Sequence, residues 1–450
     1  MQGHKPRIHL VIHDNFTESS LSSFSVGEDT VHLYYEGKNK NFNLDLDEIE
    51  KAIGHKIHPL VFDLYKIAAS AYMADLWFKR PDKTGGRALN ILLSVSDKSK
   101  WEGQKQHLKA TFRLLTSDSF DFYFVQGTRP EKEYVFENRS SKVISLFSGG
   151  IDSLSGVKYL LDNKMEPILI SHCSQNLVCH IQTTLSKLMN KALTNTIEFH
   201  QISARRVGGT GLSPKEYSQK SRSFLFLSLA SIFALQLGIR DIYMFENGIL
   251  AMNIPLVPSR SFNNTKTAHP DFLNNFSKLL NTTYGCNVLV QNPFLDKTKG
   301  EVIHLLDCQE FQPTIKETVS CSGIRRLGIS GVKTSQIRHC GICVPCILRK
   351  FAVHAAHLEH YDCRYVTDVL GDFDRLPTEA KTTIMETLDF AHKLESCSDD
   401  DVFNEIPEFY IETVDPQPMI QMTRRYIIEV KTCLKNNAVA MHRSNLPYLN

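Results

Sequence analysis

The feature that most limits what this chain can fold into is the run Ser145-Leu146-Phe147-Ser148-Gly149-Gly150-Ile151-Asp152-Ser153. It is wedged between an apolar strand pattern (Val143 to Phe147) and an apolar helix pattern that reaches Leu161. Adjacent glycines let a backbone close on an anion, Ser148 and Ser153 offer hydroxyl donors, and the first amides of the following helix point at the bound charge. Strand, glycine turn and helix in this order predict a phosphate-binding turn. Asp152 is a carboxylate beside a polyanion, which makes sense if it faces a bound cation, so it is assigned to Mg²⁺, with helix capping as the structural alternative.

From residue 141 to about 350 the pattern alternates. Strands are predicted at 143–147, 167–171, 197–202 and 241–245, and helices at 152–161, about 178–191 and 219–237. This predicts a doubly wound α/β parallel sheet whose ligand lies beyond the carboxyl ends of the strands, at Ser148 to Ser153 and at Ile170 to His172. Ile170 and Ser171 are expected to touch the ligand through their backbone. Val207 to Ser213, with three glycines, reads as a surface loop, or else as a cover over the site.

The second strong signal is Cys321 followed by Cys340-Gly341-Ile342-Cys343-Val344-Pro345-Cys346. Four thiolates fit one tetrahedral Zn²⁺, and a closed four-sulfur set leaves no open position, so the metal is expected to be structural. His339, His354, His357 and His360 are alternative ligands, although the last three, spaced by three, read as a solvated helix surface. Between Cys321 and Cys340 lie Arg325, Arg326, Lys333 and Arg338 with no acid, a solvated loop by default and a steering or partner-binding arm otherwise. The remaining cysteines, Cys173, Cys179, Cys286, Cys308, Cys363, Cys397 and Cys433, are expected to be free thiols in a reducing cytoplasm.

Ser-Gly-Gly-x-Asp-Ser after a strand resembles the PP-loop of the N-type ATP pyrophosphatases, which cleave ATP between its α and β phosphates. With the knuckle in the right order, residues 141–362 resemble QueC, the 7-cyano-7-deazaguanine synthase. Arg222 with Phe224-Leu225 and Ser228 is similar to its Arg-Asn-x-x-Phe-Leu-Ser helix. Pro293, Thr298-Lys299 and Glu301-Val302 are similar to its Pro-Leu…Thr-Lys-Ala-Glu-Ile stretch, and Thr318-Val319-Ser320-Cys321 to its Thr-x-Ser-Cys. Cys340-Gly-x-Cys343-x-x-Cys346-x-x-Arg349 resembles its zinc knuckle. The resemblance implies ATP as substrate, Arg222 and Lys299 as active-site cations beside Asp152, and Cys321, Cys340, Cys343 and Cys346 as zinc ligands. The departures are also specific. Where QueC has Tyr-Pro-Asp-Cys-Arg-Pro-Glu-Phe, this chain has His269-Pro270-Asp271-Phe272-Leu273-Asn274-Asn275-Phe276, and a polar loop with Arg260, Asn263, Asn264 and Lys266 follows Glu246-Asn247-Gly248. Leu154 and Ser223 replace a Thr and an Asn of the family pattern.

With 450 residues and 42% apolar content, the chain is expected to form two or three domains: 1–140, 141–362 and 363–450. The first carries strand patterns at Ile8 to Ile12, Thr30 to Tyr35, Ala88 to Val95 and Phe120 to Val125. Helix patterns lie at Pro59 to Phe78 and Trp101 to Leu115. It predicts an α+β domain with no phosphate turn or metal set, hence a partner-binding or regulatory addition. The last region is predicted to be helical, at Thr378 to Leu394 and Pro418 to Asn436, with an acidic break at Asp399 to Asp401. A net charge of +2 gives no indication of nucleic-acid binding, and the longest apolar stretch, Phe224 to Ile239, is too short and too interrupted for a membrane span.

A PP-loop core, a changed pocket and extra regions at both ends together resemble the QueC-like proteins of bacterial anti-phage defence, most closely the QatC type. That resemblance implies adenylation of a small-molecule carboxylate, with a 7-deazaguanine acid as candidate. Pyrophosphate would be released and the acyl group passed to an amine, on a protein partner from the same defence operon. The rival readings are a housekeeping 7-cyano-7-deazaguanine synthase, a tRNA-modifying relative, and a non-enzymatic nucleotide-binding scaffold.

Overall fold

A computed structural model describes residues 6–81, 86–207, 216, 218–258, 265–323, 337–371 and 373–437. Most of Val207 to Ser213, Arg260, Asn263, Asn264, Arg325, Arg326 and Lys333, and the side chain of Arg338, lie outside the described residues.

The N-terminal region runs β1 (Arg7–Ile12), α1 (Asn15–Ser20), β2 (Ser25–Leu33), β3 (Phe42–Asn43), α2 (Leu46–Ile53), α3 (Pro59–Trp77), β4 (Ala88–Val95), α4 (Lys98–Thr116) and β5 (Ser119–Gln126). Its sheet has the order β2-β1-β4-β5, and every pairing is parallel. The expected α+β arrangement is therefore corrected to alternating α/β. Periodicity locates strands but carries no information about their direction, and here helices α3 and α4 supply the crossovers that parallel pairing requires. α3 is apolar on nearly every side because it is buried on nearly every side, from Leu60 through Trp77.

The second region runs β6 (Val143–Leu146), α5 (Ile151–Asp162), β7 (Pro167–His172), α6 (Asn176–Ala192), β8 (Glu198–Ile202), β9 (Arg205–Arg206), α7 (Arg222–Leu237), β10 (Asp241–Tyr243), α8 (Gly248–Ala251), α9 (Pro270–Tyr284), β11 (Leu289–Gln291), α10 (Lys299–His304), β12 (Ile337–His339), α11 (Val344–Ala355) and β13 (Arg364–Tyr365). A five-stranded parallel sheet has the order β11-β10-β6-β7-β8, which is the doubly wound α/β architecture. Alternation sorts its side chains: Ile144, Ile168 and Ile170 face one core, Phe147 and Leu169 the other. The apolar stretch from Phe224 is the buried helix α7. Among the described residues, no helix is long and apolar enough to cross a membrane.

The first core does not stop at residue 140. The same cluster contains Leu64, Phe112 and Phe122 of the N-terminal region and Phe224, Phe233 and Phe276 of α7 and α9, and the rings of Phe112 and Phe224 lie 4.4 Å apart. β3 pairs antiparallel with β9 across the same boundary. The C-terminal region is helical, with α12 (Thr378–Glu395), α13 (Asp399–Glu405) and α14 (Pro416–Asn436) packed on α8 and α11. The acidic break is itself the start of α13. Ser398 and Asp401 form a reciprocal cap there, which turns a run of acids into a favourable first helical turn.

Candidate functional site

In the order β11-β10-β6-β7-β8, the chain leaves β6 toward β7 on one side and returns to β10 on the other. The crevice beyond the carboxyl ends of β6 and β10 is thus the topological switch point, where doubly wound sheets bind ligands. Ser148-Gly149-Gly150 leaves β6 into this crevice. Gly149 has φ +82°, a left-handed conformation that an L side chain adopts only with strain, and a Cβ there would meet Ile181 Cγ2 at 3.2 Å and Gln182 Cγ at 3.3 Å. The turn is held internally: Gly150 N donates to Ser148 Oγ (3.2 Å), Ser148 Oγ to Ser153 Oγ (3.1 Å) and Ser153 Oγ to Gly150 O (2.8 Å). Gln182 Nε2 holds the carbonyls of Ser148 (3.3 Å) and His172 (3.4 Å), tying the turn to the end of β7. The first amides of α5 therefore open on the crevice with no intrahelical acceptor.

Asp152, in the first turn of α5, is buried and engaged at both oxygens. Lys299 Nζ pairs with Oδ1, while Asn247 donates to Oδ2 from Nδ2 (2.7 Å) and from its amide (3.3 Å). Lys299 is the first residue of α10, buried to 4% exposure, and its charge balances that of Asp152. Glu246, which follows β10, has its Oε2 enclosed without a hydrogen-bond partner. Burial, then the charge of Asp152, push its carboxyl up to about 8 against the opposing pull of Lys299, the Ala268 amide and Arg222. Arg222, first residue of α7, is exposed, and its charge acts on both Glu246 and His172. His172, at the end of β7, is pushed down to about 4 by burial, with Nε2 on the Ala204 carbonyl at 3.1 Å and Arg222 adding to the shift. The crevice thus gathers two cations, two carboxylates and the first amides of α5, a set suited to a polyphosphate carrying a divalent cation.

The four predicted sulfurs come together. Cys321, Cys340, Cys343 and Cys346 place their Sγ atoms within 4.8 Å of one another, with Cys340 to Cys346 at 3.8 Å and Cys343 to Cys346 at 3.2 Å. A Zn²⁺ with four bonds of about 2.3 Å needs sulfurs about 3.8 Å apart, so the cluster fits a zinc knuckle. His339 is not a ligand: its Nε2 accepts from Ser320 N (3.0 Å), and its Nδ1 meets Cys363 Sγ (2.8 Å). The segment leading into Cys321 also touches the phosphate turn, because Val319 N donates to Gly149 O at 3.1 Å. Arg349, fully buried, holds that segment through Thr318 Oγ1 (2.6 Å), Ser320 Oγ (3.3 Å) and the Ile315 carbonyl (2.9 Å), with Asp362 as its counter-charge (2.7 Å). The knuckle and the phosphate turn are therefore one mechanical unit.

Of the residues singled out from sequence, Ser148, Gly149, Gly150, Asp152, Ser153 and Lys299 meet at the crevice, with Arg222 across it. Ile170 and Ser171 lie inside β7, paired to β6 and β8 and fully buried, and the strand end that borders the crevice is His172. Glu246 and Asn247, which the sequence marks only as the start of the stretch before a polar loop, also line the crevice. The expectation of free thiols is corrected at one pair: Cys173 and Cys179 form a disulfide that joins the exit of β7 to the first turn of α6, whereas Cys286, Cys308, Cys363, Cys397 and Cys433 form no disulfide among the described residues. The five residues between the two cysteines bring the helix back over the strand end, close enough for the bond.

A family model described as "Queuosine biosynthesis protein QueC" matches residues 142–357. The 7-cyano-7-deazaguanine synthase of Methanobrevibacter smithii is 22% identical over 242 residues, covering 49% of this chain and 96% of that protein. The region is QueC-like, and the family match stops short of the N-terminal sheet and of the helices α12 to α14.

Proposed function

We propose that this chain is an ATP-dependent synthase that adenylates a carboxylate, releases pyrophosphate and passes the acyl group to an amine. A 7-deazaguanine acid is the favoured substrate, and a protein partner in anti-phage defence the favoured acceptor. The observation that carries the reading is the convergence of the Ser148 to Ser153 turn, Asp152, Lys299 and Arg222 at the switch point of a QueC-like sheet. A carboxylate is a poor electrophile until its oxygen becomes part of a good leaving group, and AMP provides one. The substrate oxygen attacks the α-phosphorus, the bond to the β-phosphate oxygen breaks, and pyrophosphate leaves with its charge held by the turn's amides, Lys299 and Arg222. Mg²⁺, when bound, would neutralise phosphate charge. Asp152 and Glu246 are the carboxylates that would hold it, the enclosed Oε2 of Glu246 being a ligand atom without a protein partner. The amine then attacks the acyl carbon, AMP departs, and the amine's proton passes to a base.

A second reading, a housekeeping 7-cyano-7-deazaguanine synthase that uses ammonia twice, is favoured by the Methanobrevibacter smithii protein, which aligns over 96% of its own length. The two separate on the product. The enzyme is to be incubated with ATP, Mg²⁺ and the deazaguanine acid, with either ammonium or the product of a neighbouring operon gene, while AMP and product masses are followed. AMP release with a covalent nucleobase adduct on the partner supports the defence reading. Efficient conversion of the acid to the nitrile by ammonium alone supports the housekeeping one, and no AMP in any arm refutes both.

A further inference from the structure

The two cations of the crevice are the first residues of their helices, and each helix is held at that end by a carboxylate from outside the QueC-like region. Ser221, the residue before α7, makes no capping bond of its own. Instead Asp75 of α3 accepts from both its amide and its hydroxyl, each at 3.0 Å, and Arg222 follows directly. The other oxygen of Asp75 takes Arg80 (3.2 Å) and Arg87, and Asp118 binds both guanidiniums, so two buried charges of each sign lock the carboxylate in place. One turn earlier on α3, the Tyr72 ring packs edge-on against His172 at 5.8 Å, and its hydroxyl lies 3.5 Å from Oε1 of Gln219, which adopts a left-handed φ of +50°. α3 therefore grips both the exit of β7 and the turn that launches α7.

The C-terminal helix does the same for Lys299. Thr298 caps α10, and Glu429 of α14 accepts from the Thr298 hydroxyl and from the Gly300 amide, on either side of Lys299. Arg425, one turn away, pairs with Glu301 (2.7 Å) and donates to the Asp296 carbonyl (2.7 Å). A Cβ on Gly300 would lie 2.5 Å from the Glu429 carboxylate, so a larger residue there would push that carboxylate out of its present place. The QueC stretch has alanine at that position, and the substitution opens the space that Glu429 enters.

We propose that Asp75 and Glu429 are positioning residues that complete the nucleotide site, Asp75 acting through Arg222 and Glu429 through Lys299. This rests on the reading of those two cations as phosphate-binding groups. A cation placed about 1 Å off its phosphate forfeits much of its effect, which gives each flanking region a role in binding beyond solubility or docking.

The test is a pair of double-mutant cycles in the full chain, read by calorimetric binding of Mg²⁺-ATP. Glu429→Ala should weaken binding about tenfold, the scale of a lost charge-assisted hydrogen bond. It should add little in a Lys299→Ala background while keeping its full effect in Arg222→Ala. Ser221→Ala and Asp75→Asn should show the opposite pattern, silent with Arg222→Ala and additive with Lys299→Ala. Ser221→Ala is the milder probe if Asp75→Asn disturbs the buried charges. Gly300→Ala should reproduce Glu429→Ala, and the two together should be no worse than either alone. Effects that add equally in both backgrounds, or wild-type binding in the flanking variants while the cation variants are weak, would overturn the proposal. Wild-type binding in both Lys299→Ala and Arg222→Ala would remove the cation reading itself, and the proposal with it.

Discussion

Arg349→Met should be among the most damaging single substitutions in the chain. The guanidinium is fully buried and makes bonds to Thr318, Ser320, the Ile315 carbonyl and Asp362, so methionine removes them all and leaves the Asp362 carboxylate enclosed with the Tyr365 hydroxyl (2.7 Å) and its neighbour's amide (2.8 Å). Breaking a buried ion pair from one side costs about 3–5 kcal/mol. Adding Asp362→Asn removes the orphaned charge and should recover part of that loss, so the two substitutions will not add. The pH dependence gives a second signature. Burial alone would raise the Asp362 carboxyl, but the charge and hydrogen bonds of Arg349, with the Tyr365 hydroxyl, outweigh it and hold it below the ordinary range. A depressed carboxyl contributes stability that is present above its unfolded value, about 3.9, and lost as pH falls through the folded one. In the variant burial dominates and the sign reverses, so the gap between wild type and variant should widen as pH rises from about 4 to 7. Thermal melts across that range, with release of zinc to a chromogenic chelator as a local probe, measure both effects. A variant that melts within a degree of wild type and retains its metal at every pH would show that Arg349 does not hold the segment between phosphate turn and knuckle.

Metal analysis should find about one zinc per chain, and a Cys343→Ala/Cys346→Ala variant should lose it; full retention would remove the four-sulfur assignment. Asp152→Ala should lower Mg²⁺-ATP affinity or turnover by about an order of magnitude, as expected of a lost electrostatic stabiliser, and should also lower the melting temperature because it leaves Lys299 buried without its counter-charge; unchanged binding and turnover would leave Asp152 a structural partner of Lys299 and Asn247. A chain beginning at residue 136 should be insoluble or molten, because it exposes the faces of α7 and α9 that meet Phe112 and Leu64; a soluble truncation that binds ATP normally would contradict the shared core.

The legible parts of the molecule were those written in short stretches. The phosphate turn needs only six residues, the knuckle seven plus one upstream cysteine, and the strands of the second sheet announce themselves as apolar runs between turns. β11 is not legible in the sequence because three residues, Leu289–Gln291, are too few to show a period. The parallel direction of the N-terminal strands is a property of pairing, not of any one segment. The contacts of Asp75 with Ser221 and of Thr298 with Glu429 span 146 and 131 positions, and no local pattern marks either carboxylate as different from a surface acid. Cys173 and Cys179 illustrate the same gap at short range, since composition argued for thiols while the turn out of β7 sets the two side by side.

The continuous core also constrains how the protein is made. Strands β1, β4 and β5 and helices α3 and α4 are complete once residue 126 has left the ribosome, yet the partners of their apolar faces, α7 and α9, end at residues 237 and 284. At about 5–20 residues per second, that leaves roughly 8–30 s in which the nascent sheet carries an uncovered hydrophobic surface. Newly synthesised chains should therefore engage holding chaperones over this interval, and slowing translation between residues 126 and 284 should lower soluble yield.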